Sequence, residues 1–317
     1  MDTFVIGVDL GGSHAACGCV DLDGNISCMC ETEIDRENSA DKVINENLIP
    51  LIEECKNKAK DKNIVGIGIG IPGRTDSKNG ICVFAPNLNW HDVDVKTPIE
   101  KACKLPVFIL NDARAMATGE KYFGNGKGID NFVCIAIGTG IGGGIVAGGK
   151  LILGADEAAG EIGHITVEPN GPVCGCGNRG CVEALASRLG IVKRAEEAID
   201  SGVETVLKKE NLTSKDIFDA AKQGDKLSLK IWEDTGIYLG RFIANLATTV
   251  NPQRILFSGR VSGASELFLP SLKKELKERA RMVPVEKIEF MKAKFEDDAG
   301  IVGNAGRAFE CLGYLKW

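Results

Sequence analysis

The sequence predicts an α/β protein, and three observations carry that prediction. Runs of β-branched residues alternate with segments of helical periodicity along the chain. Glycine turns punctuate these runs where strands end. The stretch FVIGVDLGGSHAACGCVDLDGNI from Phe4 is repeated in plan by FVCIAIGTGIGGGIVAGGKLI from Phe132. Each reads as a strand, a glycine turn, a second strand and a glycine-containing reversal. The same unit twice, far apart, indicates two related halves with a cleft between them.

The first unit runs on into a third strand, because Asp23-Gly24 is a two-residue hairpin signal. With that turn Cys19 faces Cys28 and Cys17 faces Cys30 on one face. A second metal site or a cross-strand disulfide is conceivable there, but the expected reading is a packed face of small side chains. Val43, Ile44, Leu48, Leu51, Ile52, Cys55 and Ala59 fall at helical spacing, with a kink or break expected at Pro50. NIVGIGIGIPG is a buried strand ending at Pro72-Gly73. LPVFILND is another, ending at Asn111-Asp112, and ARAMATGEKYFG is a helix that stops near Gly124. Helical patterns fill roughly 184–250 and 264–282, RILFSG is a strand between them, and AGIVGNAGRAFECLG is a terminal helix.

Bulk composition narrows the function. The 317 residues carry a net charge of −6 and no extended Lys/Arg cluster, so a nucleic-acid footprint is not expected. No apolar run approaches the roughly 20 residues of a membrane span. The opening MDTFVIGVDLGG goes straight into a strand without a secretory pattern, so a cytoplasmic location is the default expectation. In that reducing compartment the 12 cysteines are not expected to form structural disulfides. The scattered Cys55, Cys82, Cys103, Cys134 and Cys311 read as core filling.

Four groups of residues point to chemistry. Asp9, at a strand end, is followed by Gly11, Gly12 and Ser13: glycines admit an anion to backbone N–H groups, and the acid suits a hydrated Mg²⁺. Gly138, Thr139 and Gly140 repeat that turn at the matching point of the second unit. Two such turns favour a phosphate-gripping cleft over a pair of plain hairpins. Asp112 lies where open α/β sheets bind ligands, and it reads equally as a helix N-cap. In VCGCGNRGC the C-x-C cysteines are poorly placed to bridge each other, and the spacing is not the C-x-x-C of redox centres. Cys174, Cys176 and Cys181 together with His164, one of only three histidines, make a Cys₃His set for a closed, structural Zn²⁺.

Taken together, DLGGS, IPG, PNLNW, NDARAMATGE, IGTGIGGGI, EIGH and CGCGNRGCVE resemble the ROK family of repressors and sugar kinases, most closely its bacterial glucokinase branch. The resemblance runs nearly end to end. It implies an actin-like (ribonuclease H-like), duplicated two-domain sugar kinase fold whose central cleft closes over ATP and a hexose. It implies a small domain over 1–115, a large domain with the zinc loop over 116–300, and a C-terminal helix over 301–317 that packs back on the small domain. Asp112 is then the base that takes the proton of the sugar 6-hydroxyl. Asn111, Glu161, His164 and Glu183 hydrogen-bond the other hydroxyls, helped by Asn87 and the Gly73 backbone. Asp9, Gly11, Gly12, Ser13, Gly138, Thr139 and Gly140 match the phosphate and Mg²⁺ positions. The zinc clip would fix the loop that carries His164 and Glu183.

The resemblance also implies a homo-oligomer, a dimer first. It implies glucose 6-phosphorylation, with mannose, N-acetylglucosamine, N-acetylmannosamine or fructose as the other acceptors, and GTP or polyphosphate as other donors. Family repressors carry a DNA-binding helix-turn-helix before the first strand. Only three residues precede Phe4, so the regulator reading is the weaker expectation. The chain departs from the family pattern at Ser13, where Thr is common, at Arg114 beside the expected base, and at Arg260, which breaks a glycine run expected against the nucleotide. A guanidinium at 114 would lower the basicity of Asp112 by charge attraction, and one at 260 could contact phosphate or stack on adenine.

Overall fold

The computed structural model describes residues 2–316. In chain order the elements are β1 (Thr3–Leu10), β2 (His14–Asp21), β3 (Ile26–Glu33), α1 (Ala40–Lys42), a π-helical stretch Val43–Leu48, and α2 (Ile49–Lys58). They continue as β4 (Asn63–Ile71), β5 (Arg74–Asp76), β6 (Ile81–Ala85), β7 (Trp90–Asp94), α3 (Lys96–Cys103), β8 (Val107–Asn111) and α4 (Asp112–Phe123). Next come β9 (Phe132–Ile137), β10 (Ile141–Ala147), β11 (Lys150–Leu151), α5 (Val182–Ala186), α6 (Arg188–Asp200), α7 (Ser214–Lys222) and α8 (Lys226–Val250). The chain closes with β12 (Arg254–Ser258), α9 (Ser265–Arg279), β13 (Glu289–Lys292) and α10 (Ala299–Cys311). Among the described residues no helix is long and apolar enough to cross a membrane.

The duplication read from the sequence reappears as topology. One five-stranded sheet has the order β3-β2-β1-β4-β8 and the other β11-β10-β9-β12-β13. In the first, β1 runs antiparallel to β2 and parallel to β4. In the second, β12 runs parallel to both β9 and β13. A third, small sheet (β5-β6-β7) was not foreseen, because its strands are short and broken by turn residues.

The chain divides into two compact units: residues 1–130, 144–160 and 293–317 form the first, and 131–143 with 161–292 the second. The resemblance implies a boundary after residue 115; the first compact unit holds the whole of α4, which packs against α10.

Why α10 can reach the first sheet is written in β1 and β4. Along a strand, alternate residues face opposite sides. Ile67, Ile69 and Ile71 of β4 enter one core, with Ile6, Val8 and Leu10 of β1 and Leu51, Ile52 and Cys55 of α2. The intervening glycines give the other face to α10. A Cβ on Gly68 would lie 1.9 Å from the Asn304 carbonyl oxygen, and one on Gly7 would lie 2.0 Å from that of Ile301. Here glycine is required by backbone-to-backbone approach. Asn304 completes the seat, donating Nδ2 to Val8 O at 2.9 Å and to Gly300 O at 2.7 Å.

Two local expectations change. At Pro50 the helix does not break: the backbone stays helical through Leu48 and Ile49, and the proline's missing N–H is accommodated where the preceding stretch Val43–Leu48 widens into a π-helix. The β2–β3 hairpin differs in register. Cys17 does face Cys30, but Cys19 faces Ser27, because a bulge expels Cys28 into left-handed backbone (φ 55°). Cys19 meets Cys55 of α2 instead, Sγ to Sγ 3.8 Å, in the core. Hydrogen bonding with neighbouring thiols, and then burial, push both far above an ordinary thiol, so they pack as small hydrophobes.

Candidate active site

In the first unit the expected phosphate and sugar turns adjoin. Asp9 ends β1 on the face that α10 covers. It is half-buried, and burial pushes its carboxyl above the usual range, partly offset by His14. A lone acid of this kind suits hydrated Mg²⁺, which takes one or two carboxylates and keeps water. Gly11 N–H donates to His14 O at 2.8 Å and closes the turn that carries Ser13. A Cβ on Gly12 would lie 3.3 Å from the carbonyl oxygen of Asn87, so the DLGGS turn rests directly on the PNLNW turn. Asn87 itself is exposed, in a single 3₁₀ turn over Pro86–Leu88. Gly73 adopts φ 144°, with room for no side chain against Phe84 O.

Asn111 resolves the ambiguity over Asp112. Its Oδ1 accepts the Arg114 N–H at 3.2 Å and so caps α4, while its Nδ2 donates to Gly73 O at 2.9 Å. One buried amide therefore starts the helix and pins the IPG turn. Asp112 is the first helical residue, half-buried, with Oδ1 accepting the Ala113 N–H at 2.8 Å. The cap position is not its task. Arg114 is buried, and its Nε donates to Ala159 O at 2.8 Å.

In the second unit, the Gly138–Gly140 turn is held from three sides. Gly138 N–H donates to Gly140 O at 3.0 Å, Arg188 N–H to Gly138 O at 2.9 Å, and the Arg188 guanidinium to Thr139 Oγ1 at 3.0 Å. Glu183 takes the far end: its Oε2 accepts the Ile141 N–H at 2.9 Å and stands where a Cβ on Gly140 would be. Arg188 escaped the sequence reading, yet a signal existed. It follows the N-cap Ser187 of α6, and a cation at a helix N-terminus opposes the helix dipole, so it must answer to something else. Arg188 and Arg260 line a cavity of about 530 Å³ with Thr213, Ser214, Phe218 and Trp232. Basic groups around aromatic walls fit a nucleotide's phosphates and base.

The Cys₃His set comes together as read. The loop folds back on itself through Cys174 N–H to Asn178 O at 2.8 Å and Gly177 N–H to Cys174 O at 2.9 Å. Positive φ at Gly177 and Gly180 makes the reversals. His164 Nδ1 lies 3.7 Å from Cys174 Sγ, Cys176 Sγ lies 3.8 Å from Cys181 Sγ, and all four ligand atoms fall within 4.8 Å of one another. Zn–S bonds of ~2.3 Å at the tetrahedral angle set sulfurs ~3.8 Å apart, so the donors fit that ion. Without a cation, burial pushes Cys181 up to about 12 and raises Cys174, while the Asn178 N–H holds Cys176 below the usual range. A metal's charge would favour the thiolate form of all three. Among the described residues no other group of ligands meets this test, the Cys17, Cys19, Cys28 and Cys30 quartet included.

His164 turns its Nδ1 toward Cys174 Sγ, so a metal held there would take Nδ1 and leave Nε2 on the opposite side of the ring for another partner. Glu161 is exposed at the head of the 3₁₀ turn Ile162–His164. Glu183 Oε1 lies 3.6 Å from Cys174 Sγ and 3.9 Å from His164 Nδ1, so one carboxylate touches both the clip and the glycine turn.

Comparison with known proteins identifies the family. The model of the ROK family matches residues 5–309. A glucokinase of Thermotoga maritima is 36% identical over 315 residues, covering 98% of each chain. Among solved structures, a ROK family glucokinase from Streptomyces griseus, in complex with glucose and AMPPNP, matches with a TM-score of 0.77 at 32% identity. That match covers 95% of this chain and 98% of the other. A ROK family transcriptional regulator, a homologue of the E. coli MLC protein, matches with a TM-score of 0.87 at 31% identity, covering 96% of this chain and 77% of that one. The α/β fold is the actin-like sugar kinase fold, and the chain belongs to the ROK family.

Proposed function

We propose that this protein is an ATP- and Mg²⁺-dependent hexokinase that phosphorylates the 6-hydroxyl of glucose. The observation that carries the reading is the division of labour at the end of β8: Asn111 caps α4, so the Asp112 carboxylate is not committed to capping. In the reaction Asp112 accepts the proton of the 6-hydroxyl as its oxygen forms the bond to the γ-phosphorus, and the bond to the β-phosphate oxygen breaks. Mg²⁺, when bound, neutralises charge on the phosphates, with Asp9 holding its water shell. Gly11, Gly12, Ser13, Gly138, Thr139 and Gly140 cradle the phosphates, and Arg188 adds a cation. Gly73, Asn87, Asn111, Glu161, His164 and Glu183 select the sugar by its other hydroxyls. Zn²⁺ on His164, Cys174, Cys176 and Cys181 is structural, and the protein works as a homodimer without nucleic acid or membrane.

A coupled kinase assay over glucose, mannose, fructose, N-acetylglucosamine and N-acetylmannosamine, with ATP, GTP and polyphosphate, tests this. Glucose with ATP should have the highest kcat/KM. The likeness to the regulator favours a second reading, a sugar sensor. A sensor would bind a sugar in calorimetry and turn over none of the panel.

A further inference from the structure

Ser77 and Glu157 are far apart in sequence, yet both belong to the first unit and they form a two-point contact. Glu157 Oε2 accepts the Ser77 N–H at 2.8 Å, and Oε1 accepts the Ser77 hydroxyl at 2.6 Å. Bonds to an ionised carboxylate are the strong kind, and a paired geometry adds direction. Glu157 is held in left-handed backbone, φ 51°, which a non-glycine residue tolerates only when its surroundings fix it. The positions of the two residues give the pair its interest. Ser77 follows β5, four residues after Gly73. Glu157 stands four residues before Glu161. The segment between them and the site is tied again by Ala159, whose N–H reaches Leu153 O at 2.9 Å and whose carbonyl accepts Arg114 Nε. Beyond it, Gly160 has φ 94°. A cavity of about 420 Å³ lined by Arg74, Thr75, Lys78, Asp156 and Glu157 flanks the pair, so little packing holds the segment there.

We propose that the Ser77–Glu157 pair is a positioning latch for the sugar acceptor. It fixes the segment 153–160 of the first unit between the end of β5, next to the Gly73 turn, and Arg114 of α4, beside Asp112. Neither residue touches the substrate. The inference rests on the hexose-kinase reading given above.

The test uses three variants of the full chain. Ser77→Ala removes the hydroxyl contact. Glu157→Gly suits the left-handed backbone and so removes the carboxylate without adding strain. Ser77→Thr keeps a hydroxyl. Ser77→Ala and Glu157→Gly should each raise the hexose KM about tenfold, with kcat and the ATP KM within threefold of wild type, and Ser77→Thr should return the hexose KM to within threefold. Amide exchange over 153–160 should quicken in both loss variants and stay as in wild type elsewhere. A hexose KM raised less than fivefold in both loss variants overturns the latch, as does a change in which both KM values and kcat move together. A wild type that phosphorylates no hexose refutes the kinase reading instead. Exchange over 153–160 then still decides whether the pair holds the segment, and unchanged exchange overturns the latch.

Discussion

Glu183 links Ile141 to Cys174: one carboxylate oxygen accepts the Ile141 N–H at 2.9 Å, and the other lies 3.6 Å from the Cys174 sulfur. A side chain expected only as a sugar contact thus also joins the glycine turn to the metal clip. Removing it should disturb donor and acceptor together. Glu183→Ala is expected to raise KM for both glucose and ATP by about tenfold, in line with one charge-assisted hydrogen bond at ~1.5–3 kcal/mol. Steady-state kinetics with each substrate varied in turn checks this, and an unchanged ATP KM would remove the glycine-turn role.

Purified protein should contain one zinc per chain. The Cys176→Ala, Cys181→Ala double variant should lose it, as measured by atomic emission. Because Glu183 and His164 border the clip, zinc removal by a chelator should also raise the glucose KM by ten- to a hundredfold, the usual range for partners of a metal site. Full zinc in the double variant refutes the assignment.

Asp112→Ala should lower kcat by about 10²–10⁴-fold with zinc content and melting temperature near wild type. Asn111→Ala should behave differently. Losing the cap and the Gly73 contact should cost about 2 kcal/mol of stability, a fall in Tm of several degrees. If Asp112→Ala kept its rate, the carboxylate would have no part in proton transfer.

Arg188→Ala should raise the ATP KM about tenfold and leave the glucose KM within twofold, since the guanidinium meets Thr139 of the glycine turn. Arg188→Lys should recover part of the loss, because an ammonium keeps the charge without the fork.

Stability should depend on pH through Glu275. Burial acts to raise its carboxyl, but hydrogen bonds from Arg279 and Arg241 outweigh this and hold it below the ordinary 4.5. A lowered folded value means the ionised form is favoured in the native state. The stabilisation is therefore full above the unfolded value and disappears as pH falls through the folded one. Glu275→Gln should reduce Tm by several degrees at pH 7, and the gap should narrow as pH falls below 4.5 in thermal melts. A gap that stayed constant down to pH 3 would mean that packing, not charge, is lost.

Much of this architecture could be read from residues, and the reasons are local. The repeat of Phe4 and Phe132 survives as two sheets of one strand order because each hairpin carries its own turn chemistry. The Cys₃His clip was legible since its ligands crowd into one short loop with a histidine nearby. Other features were hidden because they depend on distant partners. The alternating glycines of β4 look only permissive until α10 lies on them. Asn111 and Asp112 are equally good caps by type, and only the backbone decides between them. Cys28 slips out of register because the connection from Leu22 to Asn25 is longer than a two-residue turn, closed by Asp21 onto the Asp23 and Asn25 N–H groups.

The way α10 seats on β1 and β4 sets an order for biosynthesis. Residues 161–292 are synthesised before 293–317, so the second unit is complete while part of the first is still unmade. Until then one face of β1 and β4, cut to backbone by glycine, has no cover. The second unit should gain protease resistance on nascent chains before the first does. Strands β1 and β4 therefore wait for α10, and a stop between residues 293 and 299 would leave the half that bears Asp9 and Asp112 uncovered.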